Sequence, residues 1–311
     1  MPIPITLADF PGPLFQRVHD NFAELQRHRP LKREALLKFK EQSRLFHTYH
    51  SNAIEGNSLT LQETRLVLEQ GITVGGKPLR DHLEAANNAR AFDWIWEAAV
   101  KRRTLDHVFL QELHELVMRG TSVEAGRYRT QNVGIVGALH TPPQPAKIVP
   151  ALDQLFRELA EPVHPIIRAT YGHHRLVYIH PFSDGNGRVT RLATNLLLMH
   201  DKYPRIVLPV EARRRYYAAL KAADGGSYQP LAGFLLKAVD EALVWYLAAV
   251  DPERRLLPLA ELAKGTPYSQ EYLSLRARQG ALEAMKVGRN WQASRRALES
   301  YAKRIRGSSR R

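Results

Sequence analysis

Apolar residues recur every three or four positions through most of the chain, which is the spacing of one face of an α-helix. In the first fifty residues this spacing predicts two amphipathic helices, one on each side of Pro30. Their apolar positions are Leu14, Val18, Phe22, Leu25, Leu36, Leu37, Phe39 and Phe46. Because both helices are amphipathic, they are expected to pack on a larger body. Neither shows residues that suggest chemistry.

The same spacing predicts further helices, and the fold class is therefore mainly α. The predicted ranges are 59–70, 81–103, 105–118, 147–161, 165–178, 188–199, a helix from Arg214, and 231–250. The helix at 59–70 has two candidate N-caps, Ser58 and Thr60, since either side chain can accept a hydrogen bond from the first helical turn.

The pattern changes between Asn132 and His140, where small and β-branched residues alternate around Gly134 and Gly137. This alternation, which ends at two prolines, predicts a short β-hairpin. The alternative is a surface loop. A two-stranded ribbon is marginal in isolation, so a hairpin here would have to lean on the helices.

The C-terminal part of the chain has a pattern of its own. Residues 251–258 carry a proline near each end and are predicted to be a linker. Beyond them, two short helices separated by a turn at 265–269 have the spacing of a helix-turn-helix. Alternation around residues 288–290 predicts a two-stranded wing, and Ser294 predicts the cap of a last helix.

Composition narrows the class of protein. The length of 311 residues suggests about two domains. The absence of cysteine excludes disulfides and thiolate metal sites. The opening MPIPITLADFPGP does not have the pattern of a leader. The longest apolar run, Ala242 to Val250, is far shorter than the ~20 residues that span a bilayer. A soluble cytoplasmic protein without membrane contact is expected.

The formal net charge of +14 is unevenly distributed. From Leu256 onward there are 12 Lys and Arg against 4 Asp and Glu, a difference of +8. This concentration predicts a module at the C-terminus that binds a polyanion.

The segment HPFSDGNGRVTR, residues 180–191, holds the densest candidate chemistry. Its Gly185–Gly187 turn can adopt conformations closed to most residues, so that successive backbone N–H groups can converge on an anion. The N-terminus of the following helix adds partial positive charge. Arg188 and Arg191, three residues apart on one face of that helix, can reach the same phosphate chain.

Two more side chains of this segment suggest catalysis on a nucleotide. Asp184 would repel a phosphate unless a divalent cation lay between them, and Mg²⁺ is the natural candidate. His180 is left as the group that moves a proton. A lone His-Pro pair or a Gly-Asn-Gly turn is ordinarily only a loop, and it is the joint occurrence that favours a nucleotide site.

The segment matches the signature HPFx[DE]GNGRxxR at every defining position, and the chain therefore resembles the Fic family. The resemblance implies transfer of AMP from ATP to a Ser, Thr or Tyr hydroxyl of a target protein, with ATP and Mg²⁺ required. It implies that His180 is the base and that Asp184 holds Mg²⁺. The implied phosphate contacts are Gly185, Asn186, Gly187, Arg188 and Arg191.

SNAIEG, residues 51–56, fits the family's inhibitory pattern [ST]xxxE[GN]. Taken alone, a glutamate before a helix-ending glycine is ordinarily a solvated residue. The resemblance implies instead that Ser51 and Glu55 belong to an inhibitory helix N-terminal to the core, as in the class II subgroup. Glu55 would pair with Arg191 and so remove the anchor of the γ-phosphate.

The resemblance also implies two further nucleotide contacts. Tyr217 would pack on adenine, and Asp224 would meet the edge of the base. Asn195 is a third candidate from its spacing, because it follows Arg191 by four residues and faces the same side of the helix. Many relatives have Asn where this chain has Asp224, and an ionised carboxylate accepts hydrogen bonds but donates none.

The pieces GxYR, QNVxIxG and PP resemble the family's flap, here near residues 132–141. The resemblance implies that the flap holds the target's modified segment by strand addition. The predicted flap contacts are Val133, Ile135 and Val136.

Residues 272–301 resemble the winged helix-turn-helix modules of excisionase-like proteins. The resemblance implies binding of duplex DNA, with docking to another protein as the alternative. The predicted DNA contacts are Tyr272, Arg276, Arg278, Lys286 and Arg289.

The sequence thus predicts N-terminal helices over residues 1–80, a Fic catalytic core over 81–250, a linker over 251–258 and a winged module over 259–311. Two alternatives to AMP transfer stay open. One is a DNA-binding regulator whose Fic core senses nucleotide, and the other is a de-AMPylating enzyme in which Glu55 positions water. The target protein is unidentified, and the sequence allows a homodimer.

Overall fold

The computed structural model describes residues 3–31, 33–135, 137–287 and 290–308, which are mainly helical, as the apolar spacing predicted. The α-helices are α1 (Gly12–Arg27), α2 (Arg33–Ile54), α3 (Leu61–Gln70), α4 (Leu79–Val100), α5 (His107–Met118), α6 (Ile148–Ala160), α7 (Pro165–Ile179), α8 (Asn186–His200), α9 (Arg213–Asp224), α10 (Gln229–Val250), α11 (Leu259–Leu262), α12 (Gln270–Arg278) and α13 (Arg295–Ser308). Within those ranges, no helix combines the length and the apolar character needed to cross a bilayer.

A small antiparallel sheet lies near the C-terminus. Its strands are β1 (Leu257–Pro258), β2 (Met285–Val287) and β3 (Asn290–Ala293), in the order β1-β3-β2. Strands β2 and β3 pair with Lys286 opposite Trp291, so the two strands that the alternation predicted here are present. Strand β1 pairs with the other edge of β3.

Side-chain caps explain where several helices begin. Thr60 accepts a hydrogen bond from the Glu63 N–H at 3.2 Å, and the Glu63 carboxylate accepts one from the Thr60 N–H at 2.7 Å, which is a reciprocal capping box. Thr60 is therefore the cap of α3, while Ser58 donates to Asp81 at 2.6 Å. Ser294 accepts a backbone hydrogen bond at 3.1 Å and caps α13, as predicted.

The chain forms two compact units. The first comprises residues 1–9 and 40–235, and the second comprises residues 10–39 and 236–311. Helices α2 and α10 each contribute residues to both units. The segment 180–191 lies wholly in the first unit.

Helix α8 is the central helix of the first unit and packs against α4, α5 and α7. Its side chains Leu192 and Leu196 are fully buried, and burial of such a leucine stabilises the fold by about 1.5–3 kcal/mol. The buried Thr194 hydroxyl of this helix donates to the Thr190 carbonyl at 2.8 Å. The helix that carries both motif arginines therefore lies in the core of this unit.

The segment 251–258, which the sequence predicted to be a linker, is part of the second unit's structure. Buried Arg254 forms ion pairs of 2.6 Å with both Glu24 and Glu283, and β1 belongs to the sheet. The linker prediction was wrong because these partners lie far from the segment in sequence. The apolar core of the same unit includes Leu259, Leu262, Leu273, Leu282 and Leu298.

The predicted hairpin near 132–141 is not formed. Among the described residues there, 132–135 and 137–141, none lies in a strand. The Ala138 N–H donates to the Ile135 carbonyl at 3.2 Å, which is a turn contact. The described residues of the segment form a surface loop, which is the alternative that the sequence allowed.

Candidate active site

The motif forms the junction between α7 and α8. His180 ends α7 with φ of 50°, and Gly185 precedes α8 with φ of 77°, a left-handed region that glycine enters without strain. The Asn186 side chain fixes the loop, because it accepts from the Phe182 N–H at 3.0 Å and donates to the Phe182 carbonyl at 2.7 Å. Asn186 therefore shapes the turn, and the turn's backbone is the part that can meet an anion.

His180 is held in a defined orientation at the end of α7. Its Nδ1 lies 3.2 Å from the Val177 carbonyl, which can only accept, so Nδ1 carries the proton and Nε2 keeps a lone pair. Burial lowers the pKa of His180 below its ordinary value, and nearby Arg129 lowers it further, while the Val177 hydrogen bond and Glu55 raise it. The imidazole is therefore in its neutral, basic form at pH 7.

Arg191 meets the predicted inhibitory residues. Its guanidinium donates to the Glu55 carboxylate at 2.7 Å, to the Ser51 hydroxyl at 2.9 Å and to the Ser51 carbonyl at 2.8 Å. Burial opposes the positive charge, but Glu55 outweighs it, and the pKa of Arg191 lies above its ordinary value. The structure thus brings together Ser51, Glu55 and Arg191, which are about 140 residues apart in sequence.

The Glu55 carboxylate lies directly against the glycine turn. A Cβ built on Gly187 would overlap a Glu55 oxygen and come within 3.0 Å of the Arg191 guanidinium. A side chain at this position would therefore require the Glu55 carboxylate to shift. A site suited to an anion, made by a helix N-terminus and an arginine, thus holds an anion that the chain itself supplies.

Arg188 is buried and already paired with two carboxylates. Its guanidinium lies 3.1 Å from Glu84 and 3.3 Å from Asp184. Glu84 in turn accepts from Arg80 at 2.9 Å and from Asn57, next to the inhibitory segment, at 3.0 Å. Sequence reasoning missed Glu84, because nothing in the helical pattern of α4 distinguishes it from a surface glutamate.

Asp184 stands half-exposed at the start of the turn. Its carboxylate accepts from the Gly185 N–H and from Arg80 at 2.8 Å. Burial raises the pKa of Asp184, but Arg188, the Gly185 hydrogen bond and Arg80 together lower it below its ordinary value. Asp184 is therefore an ionised oxygen ligand at pH 7.

His114 of α5 supports the loop from behind. Its ring stacks on Phe182 with centroids 3.7 Å apart. Its Nδ1 accepts from the Gly126 N–H at 2.9 Å, so Nε2 carries the proton and donates to the Asp184 carbonyl at 3.1 Å. Burial lowers the pKa of His114 to about 4. Sequence reasoning gave His114 no part in the site, since its spacing shows only a helix face.

Two histidines lie behind Arg191 and line a small cavity with it. Burial lowers the pKa of His47 and that of His173 to about 3, and the charge of Arg191 contributes to both shifts. Both rings are therefore neutral at pH 7. The charge of Arg191 is balanced by Glu55 and not by a protonatable group behind it.

Arg129 fixes both ends of the predicted flap beside His180. Its guanidinium donates to the Gln131 carbonyl at 2.9 Å, to the Pro143 carbonyl at 2.6 Å and to the His180 carbonyl at 2.8 Å. Val133 and Ile135 are half-buried between these ends, whereas Val136 lies outside the described residues.

Asn195, a predicted nucleotide contact, is hydrogen-bonded to the backbone in this structure. Its buried side chain accepts from the Ile206 N–H at 2.7 Å and donates to the carbonyls of Ile206 and Arg191 at 3.1 and 3.2 Å. The amide thus acts as both donor and acceptor, and it holds the backbone at Ile206 next to α8. The contact of Asn195 with a nucleotide stays a prediction.

Tyr217 and Asp224 both lie on α9, of which Asp224 is the last residue. Tyr217 is 38% exposed, and the Arg213 guanidinium lies 5.0 Å from its ring centroid. The Asp224 carboxylate is nearly buried and lies 3.1 Å from His174 and 3.2 Å from His140. One carboxylate oxygen is therefore hydrogen-bonded to His174, and the other lies close to His140.

Four of the five predicted DNA contacts are described. Tyr272 is only half-exposed, because its hydroxyl meets that of Tyr301 at 2.8 Å and the Arg276 guanidinium lies 4.8 Å from its ring centroid. Arg278 is exposed at the end of α12, and Lys286 lies on β2. Arg289 lies outside the described residues.

The chain is similar in sequence to a known protein family and to curated proteins. The family described as Fic/DOC matches residues 104–198. The curated relative "Protein adenylyltransferase Fic" of Drosophila persimilis is 34% identical over 230 residues, which cover 72% of this chain and 45% of that protein. The chain thus spans about half the length of the curated relatives it matches.

Solved structures include similar chains. "Fic-1 (aa134 - 508) from C. elegans" superposes with a TM-score of 0.70 and 32% identity, covering 77% of this chain and 72% of that one. A Fic family protein from Desulfovibrio desulfuricans G20 has a TM-score of 0.67 and 25% identity, covering 94% of this chain and 98% of that one.

Proposed function

The chain belongs to the Fic/DOC family, and from that premise we propose that it transfers AMP from ATP to a hydroxyl group of a target protein. The observation that carries the proposal is the Glu55 carboxylate against Gly187 and Arg191, because it marks a built anion site beside the neutral imidazole of His180. The curated relatives that are called protein adenylyltransferases support the same reaction.

The reaction needs a base and a fixed line of attack. Nε2 of His180 takes the proton of the target hydroxyl as its oxygen forms a bond to the α-phosphorus. The bond from that phosphorus to the bridging oxygen breaks, and pyrophosphate leaves with the electron pair. Because the hydrogen bond to the Val177 carbonyl fixes the Nδ1 proton and the orientation of the ring, the Nε2 lone pair points in a fixed direction.

The phosphate chain needs positive groups at defined points. We assign the β- and γ-phosphates to Arg188, Arg191 and the backbone N–H groups of the Gly185–Gly187 turn. The proposal is supported by the burial of both guanidiniums, since a buried arginine needs an anionic partner. Positioning of this kind supplies most of the rate in phosphoryl transfer.

Mg²⁺ fits the residues at the start of the turn. Asp184 offers an ionised, half-exposed carboxylate whose present partners, Arg80 and Arg188, are themselves cations. One carboxylate together with substrate phosphates is a common ligand set for this ion. We propose that Asp184 would hold Mg²⁺, which neutralises phosphate charge when bound.

Control of the activity is proposed to reside in the Glu55–Arg191 pair, as in the class II subgroup. Glu55 and the γ-phosphate compete for one guanidinium, because the carboxylate lies where a phosphate oxygen would meet Arg191 and the turn. The resting chain would then bind ATP weakly or in a pose unsuited to attack.

The target is proposed to approach through the segment 132–141. Its two ends are fixed by Arg129 next to His180, and no strand pairs with its described residues. Because its described residues belong to no strand, the segment can pair with an extended polypeptide by strand addition.

The pH dependence of transfer should follow the ionisation of His180. The base must be neutral, and burial lowers the pKa of His180 below 6.5. The acidic limb of kcat/KM should therefore lie below pH 6.5, with the rate lost as the pH falls through that pKa. Glu55 raises the same pKa, so Glu55→Gly should move the limb to lower pH. A limb centred above 6.5 would contradict this assignment.

We also propose that the C-terminal module, residues 259–311, binds duplex DNA. The excess of +8 from Leu256 onward and the exposed Arg278 support this second function, since phosphate contacts dominate affinity for nucleic acids. Lys237 donates to the Ala277 carbonyl at 2.8 Å and caps the end of α12, which gives that helix a fixed position.

Salt dependence should reveal DNA binding by this module. Replacing Arg278 and Lys286 together with alanine should lower the slope of log affinity against log salt by about 2, because each phosphate contact contributes about 0.9. The matched control replaces the exposed Lys101 and Lys221 and should leave the slope unchanged. Equal slopes for both double variants, measured by fluorescence anisotropy on duplex DNA, would refute a role for the module.

A further inference from the structure

Arg213, the first residue of α9, caps the helix that ends beside Glu55. Its Nε donates to the Ile54 carbonyl at 2.7 Å, and Ile54 is the last residue of α2. The final carbonyls of a helix have no partner within the helix, and a cation there is also favoured by the helix dipole. Arg213 therefore stabilises the turn from which Glu55 projects.

The same guanidinium covers Tyr217. Its central carbon lies 5.0 Å from the Tyr217 ring centroid, within the distance at which a cation is attracted to an aromatic face. Tyr217 is 38% exposed, so a ligand can reach it from solvent. A flat ring that stacks on this face has to displace the guanidinium of Arg213.

A second contact fastens the same turn of α2. The Val210 N–H donates to Nδ1 of His50 at 3.2 Å, and His50 lies one helical turn before Ile54. The segment leading into α9 thus holds the end of α2 at two points. The position of Glu55 on Arg191 depends on that end, because the Glu55 N–H is itself bonded to the Asn52 carbonyl at 3.0 Å.

We infer that Arg213 is a positioning residue that couples a nucleotide base on Tyr217 to the release of Glu55 from Arg191. The base takes the ring face, the guanidinium leaves both the ring and the Ile54 carbonyl, and the last turn of α2 loosens. Glu55 then yields Arg191 to the γ-phosphate more readily. The inference rests on the proposed function, because it requires that Tyr217 receive the base of the substrate.

The coupling predicts that the effect of an Arg213 substitution on the transfer rate depends on the presence of Glu55. Arg213→Ala should raise the kcat for AMP transfer by about threefold to tenfold, since one hydrogen bond that holds the inhibitory turn is lost. In the Glu55→Gly background the same change should have no further effect, because no inhibitory carboxylate remains. Arg213→Lys should restore part of the inhibition. Arg215→Ala removes an exposed arginine of the same helix and should leave kcat unchanged in both backgrounds.

Hydrogen exchange tests the coupling without any transfer. The probe is adenosine, which carries a base but no phosphate to compete with Glu55 directly. Saturating adenosine should speed exchange of the amides of residues 55–57, which are hydrogen-bonded at rest. Arg213→Ala should show the fast exchange already without adenosine.

Two results would overturn the inference. One is bound adenosine, verified by calorimetry, that leaves these amides as slow as before. The other is the absence of adenosine binding, because the coupling needs the base on Tyr217. Since the exchange measurement does not depend on AMP transfer, a chain that transfers nothing but shows the exchange response would refute the proposed function and leave the coupling intact.

Discussion

His180→Ala is expected to lower the rate of AMP transfer by about 10²–10⁴-fold, the contribution of a well-placed general base. The structure gives the reason, because the Val177 carbonyl fixes the Nδ1 proton and leaves Nε2 as the acceptor. Binding of ATP should persist, since His180 is assigned no phosphate. The measurement is single-turnover transfer from ATP labelled at the α-phosphate.

The matched control for this variant is His19→Ala, which removes an exposed histidine from α1 and should leave the rate unchanged. Persistence of transfer in His180→Ala at the wild-type rate would remove His180 from the role of base. A loss of ATP binding together with the rate would indicate that His180 acts through the shape of the loop.

Glu55→Gly is expected to raise AMP transfer by about 5-fold to 150-fold, the range of coupling free energies of about 1–3 kcal/mol. The change removes the carboxylate that holds Arg191 at 2.7 Å and frees the room beside Gly187. The gain should appear in kcat if the resting chain binds ATP in a wrong pose, and in KM if Glu55 merely excludes ATP.

Two further variants separate inhibition from a general change in stability. Glu69→Gly replaces an exposed glutamate near the end of α3 and should not raise transfer. Arg191→Ala should lower transfer with or without Glu55, because it removes the proposed γ-phosphate anchor itself. If Glu55→Gly leaves transfer unchanged while Arg191→Ala abolishes it, the segment 51–56 is an ordinary helix end.

Local sequence signals were sufficient for most of the helices. The bounds of α3 and α8 lie within two residues of the predicted ones, because their apolar spacing and caps are encoded within each segment. The meeting of Glu55 and Arg191 was predicted only through resemblance to the family. No local pattern joins residues 136 positions apart.

The contacts that the sequence did not predict involve partners from distant segments. The Asn195 amide is hydrogen-bonded to the Ile206 backbone. The segment 251–258 has the prolines of a linker, but Glu24 binds its arginine. The hairpin near 132–141 has strand-like alternation without a neighbouring strand in the described residues.

AMP transfer is tested most directly by labelling the two ends of the triphosphate separately. Glu55→Gly protein is incubated with ATP labelled at either the α- or the γ-phosphate, and label attached to protein is measured after denaturation. AMP transfer through His180 predicts that the α-label becomes protein-bound, that the γ-label does not, and that His180→Ala in the same background removes the signal. Protein-bound γ-label, or no label from either position, would contradict it.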